Sequence, residues 1–319
     1  MADHTEIARA TAAGAVVMIC GPTAAGKSGL ALALAEQTGG VIVNADSMQL
    51  YGDLRILTAR PADAEMARAP HHLYGVIDGG ERASVAAWLA MAADVVAAAR
   101  RDRALPIIVG GTGLYFHAAI HGIAPIPDVP RDIHAACIQQ LAEQGGAAFR
   151  AALSELDPVT AQRLHDGDSQ RLVRAMGVGR ATGRPLSAWQ ADPHQGAIAG
   201  MPLRVAMMPP RDHLYSTIDE RFSMMMEQGA EEEVARLAAR GLDPSLPVMK
   251  AIGVREIIAM RAGEISSSLA IERASRDSRR YAKRQMTWIR NNFNAEISLS
   301  EQQMERNIQE IFIILSKTG

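Results

Sequence analysis

Gly21-Pro22-Thr23-Ala24-Ala25-Gly26-Lys27-Ser28 is the stretch that decides the fold of this 319-residue chain. It stands behind the apolar run Val16-Val17-Met18-Ile19-Cys20 and ahead of Leu30-Ala31-Leu32-Ala33-Leu34. The first run has the composition of a buried strand and the second that of a buried helix, the setting a phosphate-binding loop requires. Glycines at Gly21 and Gly26 let the backbone turn tightly, so that its N–H groups point inward at phosphate oxygens. The helix N-terminus behind the loop adds partial positive charge. Lys27 supplies a full one, and the Ser28 hydroxyl is a candidate ligand for a magnesium ion. The expected ligand is a phosphorylated small molecule.

Strand and helix signals alternate outward from this loop. Val41-Ile42-Val43-Asn44 and Pro106-Ile107-Ile108-Val109 predict two further buried strands, with an alanine-rich helix over Ser84 to Arg101 between them. Short apolar strands separated by helices make βαβ units and a parallel sheet. Pro125, Pro127 and Pro130 then break the pattern, and Arg131 to about Gln190 is polar and helical. Leu203 to Met208 resumes as a strand, and Glu220 to Arg240 and Ser266 to Asn292 predict helices. A helical run that interrupts a sheet is expected to be an inserted subdomain. The expected organisation is a mobile extension over 1–14, a catalytic α/β core over 15–128 and 200–319, and an all-helical insertion over 129–199.

Composition limits the partners. The apolar fraction of 48% supports a large core, and a net charge of −2 excludes a globally basic nucleic-acid binder, so any RNA surface must be local. Two cysteines, Cys20 and Cys137, are too few for a disulfide framework and fit a reducing compartment. The longest apolar run, Val85 to Ala99, contains Asp94 and is too short to span a bilayer. A cytoplasmic protein with no membrane partner is expected, and monomer is the default. Among 33 basic residues only Lys27, Lys250, Lys283 and Lys317 are lysines. A chain that writes arginine elsewhere keeps lysine where a compact ammonium matters, although codon bias alone would also skew the ratio.

Asp46-Ser47-Met48-Gln49-Leu50-Tyr51 follows the second strand. In a parallel sheet the C-terminal strand ends share one edge, so Asp46 is expected at the same crevice as the phosphate loop. Its carboxylate suits a general base, a magnesium ligand or a helix N-cap. The third strand ends in Gly110-Gly111-Thr112-Gly113 and brings no second acid of the kind an NTP hydrolase uses. That argues against a motor or switch and for a transferase-like use of the loop.

Seven blocks in order resemble the tRNA dimethylallyltransferases: GPTAAGKS, DSMQLY, Pro70-His71-His72-Leu73, GGTGLYF, Gln170-Arg171-Leu172-Val173-Arg174-Ala175, Lys250 to Glu256, and Tyr281 to Arg290. They span the chain from the first strand to about Asn291. The resemblance implies a P-loop NTPase-like core and transfer of a dimethylallyl group from its diphosphate to N6 of the adenosine 3′ of the anticodon. It makes Gly21, Pro22, Thr23, Ala24, Ala25, Gly26, Lys27 and Ser28 the diphosphate cradle, with Mg2+ as cofactor. It implies Asp46 as general base, with Thr23 and Arg221 completing the catalytic set. A carboxylate suits an exocyclic amine, a poor nucleophile until it loses its proton. The adenine must leave the anticodon-loop stack, so base flipping is implied.

The resemblance also implies the RNA contacts. Asp46, Ser47, Met48, Gln49 and Thr112 are expected near the flipped base. Gln170, Arg171, Leu172, Val173 and Arg174, together with Lys250, Arg255, Lys283, Arg284 and Arg290, are expected on the tRNA anticodon stem-loop. From Glu272 onward, basic residues recur at helical spacing with Tyr281 and Trp288 nearby, which is one basic face or a merely solvated one. The chain departs from the family pattern at Thr217, where another basic residue is common, and at Val254, where an aromatic is common. Arg221 has an alternative as a surface partner of Glu220 or Glu227. His117 and His121 share a zinc-like spacing but lack a third ligand, and His71-His72 could touch substrate or hold a turn. Met224 to Met226, Trp88 and Trp189 are expected to pack. The rival readings are a small-molecule or nucleotide kinase with ATP in the loop and a non-catalytic RNA-binding protein with a degenerate loop, the latter disfavoured because Lys27, Ser28 and Asp46 are all intact.

Overall fold

A computed structural model describes residues 14–300 and 303–318. Of the expected N-terminal extension, residues 1–13 lie outside the described residues. The strands are β1 (Ala15–Cys20), β2 (Val41–Asn44), β3 (His71–His72), β4 (Pro106–Gly110), β5 (Met201–Met207) and β6 (Ile297–Leu299). The helices are α1 (Lys27–Thr38), α2 (Asp63–Met66), α3 (Val85–Arg101), α4 (Gly113–His121), α5 (Arg131–Leu156), α6 (Pro158–Arg163), α7 (Ser169–Thr182), α8 (Leu186–Gln190), α9 (Arg211–Glu227), α10 (Ala230–Ala239), α11 (Val254–Arg261), α12 (Ser267–Asn292) and α13 (Met304–Thr318). The strands form one sheet in the order β3-β2-β4-β1-β5-β6, and every pairing is parallel.

Both faces of β1 are covered, which is why it reads as an unbroken apolar run: every residue from Ala15 to Cys20 is buried. Leu30, Ala31, Leu34 and Ala35 of α1 pack on Val17, Ile19, Ile107 and Val205, with Ile308, Ile311 and Leu315 of α13 in the same cluster. The register sets Cys20 beside Gly110 and Asn44 beside Val109. The residues that follow β1, β2 and β4 therefore leave the sheet at one edge, where α/β sheets bind ligands.

The described residues fall into two compact units, divided at Ile120/His121 and at Ala197/Ile198. The sheet belongs to the first. The second is a helical unit built on α5 and α7, whose Cys137, Phe149, Leu153, Leu172, Ala175, Met176 and Val178 form its core. It is closed at its base by paired backbone bonds between Ile123 and Gln195, each 2.9 Å. No helix among the described residues is long and apolar enough to cross a membrane.

Local differences from the sequence reading have simple causes. The helix expected over Glu220 to Arg240 is two, because Gly229 turns the chain at φ 99° between α9 and α10. His71-His72 form an edge strand on β2 rather than a free turn. β6 has only three residues, too few for a periodicity signal.

Candidate active site

The loop after β1 is held in an unusual backbone shape. Gly26 has φ 82°, a left-handed conformation that favours glycine, and Ala24 has φ 65°. Side chains with a Cβ adopt such angles at a cost that the surroundings must offset, and such residues cluster at functional sites. No side chain caps the N-terminus of α1, and its first turn holds no acid, so its N–H groups face the cavity without an internal competitor. Lys27 Nζ donates to the Pro22 carbonyl at 2.6 Å. Burial pushes its ammonium down to about 8, opposed by the negative field of Asp46 and reinforced by Arg221. A cation that has lost its hydration in this way gains strongly from an anionic ligand. The loop lines a cavity of about 790 Å³, shared with Asp46, Gln49, Arg55, Arg60, Tyr74 and Arg221.

Asp46 is placed by Asn44, a fully buried amide at the end of β2. Asn44 Oδ1 accepts from the Asp46 N–H at 2.8 Å, and its Nδ2 donates to the carbonyls of Asp46 and Leu73 at 2.9 Å each. Trp88 Nε1 donates to the Asn44 carbonyl at 2.7 Å and its ring stacks on Tyr115 at 4.3 Å. Trp88 is thus the packing residue expected, and its packing fixes the strand end that carries the acid. Asp46 Oδ1 accepts from the Met48 N–H at 3.0 Å. This bond closes a turn and caps no helix, since residues 47–50 run as turns, and Asp46 lines the cavity.

Thr112 anchors the opposite side of this loop, accepting from the Ser47 N–H at 3.0 Å. Gln49 Nε2 donates to the carbonyls of Thr58 and Ala59, at 2.9 and 3.0 Å. It therefore holds the cavity wall. Arg221 turns away from both glutamates the sequence offered it: its Nη2 donates to Thr23 Oγ1, while Glu220 accepts from Ser216. Burial pushes the Arg221 guanidinium below its ordinary value and the charge of Asp46 opposes this. Thr217, the missing cation, lines the first cavity and donates to the His213 carbonyl at 2.9 Å.

A second cavity of about 310 Å³ adjoins the first. The two share Thr23, Asp46, Thr58, Arg221 and Met225 as walls. The second is completed by Ser47, Met48, Lys250, Tyr281 and Arg284, all from blocks expected to meet RNA. A shallow groove along α12 follows, lined by Arg280, Lys283, Arg284 and Trp288. Arg255 and Arg290 are exposed on α11 and α12 and line none of these cavities.

The 170–174 block divides differently. Gln170 and Arg171 are exposed on α7, and Arg174 is half-buried, donating to the Pro127 carbonyl at 3.3 Å. Leu172 and Val173 are 0% and 5% exposed, inside the core of the helical unit. The side chains of these two do not face outward as a contact with tRNA would need: the helical period turns them inward to pack, while Gln170 and Arg171 are exposed and Arg174 is half-buried. His117 and His121 do not belong to a metal cluster, since no group of three or more His, Cys, Asp or Glu that could hold a metal occurs among the described residues.

Two site residues escaped the sequence reading, and a third, Tyr281, was expected only near the basic face. Glu233, 4% exposed, accepts the N–H groups of Arg55, Ile56 and Leu57 at 2.6, 2.9 and 3.0 Å and so pins the segment that walls both cavities. Tyr281 bonds Thr112, and burial together with the field of Asp46 pushes its hydroxyl well up. Gln285, 5% exposed, sits in the buried stripe of α12 among Ala274, Ala282, Met286 and Ile289. A polar residue in an apolar stripe was the signal for it.

A parallel sheet with a glycine-rich loop at its carboxyl edge defines a P-loop NTPase-like α/β fold, with a cavity at that loop. The family is fixed by similarity over nearly the whole length: the IPP transferase model matches residues 49–292 and the isopentenyl transferase model residues 14–75. The chain belongs to the IPP transferase family, whose members are prenyl-transferring enzymes. It is 47% identical over 306 residues to a tRNA dimethylallyltransferase of Parvibaculum lavamentivorans, covering 96% of this chain and 97% of that one. Among solved structures it resembles a full-length tRNA isopentenylpyrophosphate transferase from Bacillus halodurans, with TM-score 0.67 and 31% identity, over 95% of this chain and 96% of the other. A eukaryotic dimethylallyltransferase acting on tRNA shares the fold at TM-score 0.79 and 24% identity, over 95% of this chain and 78% of that one.

Proposed function

We propose that this enzyme transfers the dimethylallyl group of dimethylallyl diphosphate to N6 of the adenosine immediately 3′ of the anticodon in tRNA, releasing diphosphate. The observation that carries this reading is the shared wall of the two cavities. Asp46, Thr23 and Arg221 lie between a cavity built on the phosphate loop and one lined by Ser47, Met48, Lys250 and Arg284. A donor held in the first and an adenine held in the second would meet at Asp46.

The diphosphate takes the amides of Ala24, Gly26, Lys27 and Ser28, those of Thr23 and Ala25 being bonded to Gln285 and Pro22, with Lys27 and Arg221 as its cations. The N6 lone pair attacks the first carbon of the dimethylallyl group. The carbon–oxygen bond breaks, its electrons pass to the leaving diphosphate, and Asp46 takes the proton from N6. The cradle stabilises the charge that builds on the departing oxygens, and acts most strongly where water is excluded. Thr23 Oγ1 stands at the junction and is oriented by Arg221. The Ser28 hydroxyl, a hard oxygen donor facing the cavity, would serve as a ligand for a magnesium ion. Such an ion would neutralise charge on the leaving group.

Outside the pocket, Lys283, Arg284 and Arg290 on α12, Arg255 on α11, and Gln170, Arg171 and Arg174 on α7 would grip phosphates of the anticodon stem-loop. Those contacts position the RNA while the pocket specifies the base. The test is a transfer assay with magnesium, labelled dimethylallyl diphosphate and unmodified tRNA, followed by nucleoside mass analysis. Prenylated adenosine next to the anticodon is the expected product. Unlabelled tRNA alongside ATP consumption by a small acceptor would replace this reading with a kinase.

A further inference from the structure

Gln285 makes two hydrogen bonds that join separate parts of the site. Its Oε1 accepts from the Thr23 N–H at 2.9 Å, and its Nε2 donates to the Gly111 carbonyl at 2.9 Å. Thr23 belongs to the diphosphate loop, and Gly111 to the glycine turn beyond β4 whose next residue, Thr112, anchors Ser47. The fit leaves no slack, since a Cβ on Gly111 would stand 2.1 Å from Gln285 Nε2. A carboxamide is the side chain this place requires, with an acceptor for an amide and a donor for a carbonyl at one end. The Thr23 hydroxyl, on the residue Gln285 holds by its backbone, receives the Arg221 bond. Lys283 and Arg284 are exposed on the same helix, so one turn of α12 presents cations outward and the carboxamide inward.

We propose that Gln285 is a positioning residue for the transfer reaction, a brace that fixes the diphosphate loop against the Gly111 turn and thereby aims the Thr23 hydroxyl at the departing diphosphate. It touches neither reacting atom and acts through Thr23. This role rests on the proposed transferase reading for its kinetics, but not for its binding consequence.

Gln285→Met keeps the length of the side chain and removes both bonds. Leaving a buried N–H and a buried carbonyl unpaired at the site should lower the single-turnover transfer rate about tenfold to hundredfold. The KM for tRNA should stay within about twofold, because the outward cations of α12 are untouched. In a Thr23→Val background, where the hydroxyl being aimed is gone, the same change should cost less than about threefold. An equal loss in both backgrounds, or a loss confined to the KM for tRNA, would overturn the brace.

Two measurements do not depend on prenyl transfer. Affinity for inorganic diphosphate, measured by calorimetry, should fall about tenfold in Gln285→Met; an unchanged affinity contradicts the proposal even if the wild type transfers no prenyl group to RNA. In the wild type, amide exchange should show the Thr23 N–H protected relative to its loop neighbours. Exchange as fast as that of an open loop amide would refute it without any variant.

Discussion

The blocks at 170–175 and 281–290 look alike as sequence, each a helical stretch with basic residues spaced along it, yet they do different work. In the first, the inward-facing residues are Leu172, Val173 and Ala175, and they build the core of the helical unit. In the second, the inward-facing residues include Tyr281 and Gln285, which bond Thr112, Thr23 and Gly111 at the edge of the sheet. Both present cations outward. The contrast teaches that a helical block has two faces with separate duties. The outward face of either carries cations, but only α12 uses its buried face to bond the loops at the sheet edge.

Substitutions should separate these duties. Arg221→Ala removes the cation that engages Thr23, and the transfer rate should fall by about 10²–10³ with RNA affinity unchanged. A comparable fall from any exposed change on α7 would break the contrast. Leu172→Ala should cost about 2–5 kcal/mol in thermal or denaturant unfolding, as a fully buried leucine does, while the folded fraction keeps its transfer rate. If it weakened RNA binding without loss of stability, the packing role of Leu172 would itself be wrong.

Lys27 gives a pH signature. With its ammonium lowered to about 8 in the free protein, it is charged below that value and neutral above it. Affinity for dimethylallyl diphosphate should therefore hold on the acid side and decline as pH rises through about 8, being about tenfold weaker at pH 9 than at pH 7. A flat profile in calorimetry would remove the ammonium from the cradle. Smallest of all, Arg171→Ala with Arg174→Ala should raise the KM for tRNA by about fivefold. It should also flatten the salt dependence of binding by about one to two units of log–log slope, leaving kcat alone. Arg171, the more exposed of the two, should carry most of it.

The fold was legible because its strands are short apolar runs closed by turn residues, and because the glycines of the phosphate loop announce a backbone that few sequences need. Asp46 was legible through the block that holds it, and Arg221 through the family resemblance. The rest was hidden in long-range pairings. Nothing near Glu233 in sequence says that its carboxylate will bond Arg55, Ile56 and Leu57 more than 170 positions away. Gln285 lay inside a block whose charges drew the reading outward, though its neighbours Ala282, Met286 and Ile289 already marked its face as buried. Leu172 and Val173 show the converse. A block expected to contact RNA also contains residues that pack inward.

The most direct test of the account is single-turnover transfer by Asp46→Asn at saturating anticodon stem-loop RNA, with RNA affinity measured on the same preparation. The amide can still accept from the Met48 N–H, so the local turn is preserved. The account predicts a rate lower by about 10²–10⁴ with RNA affinity within about threefold of wild type. Transfer at the wild-type rate would contradict it and take the proton from N6 to some other group.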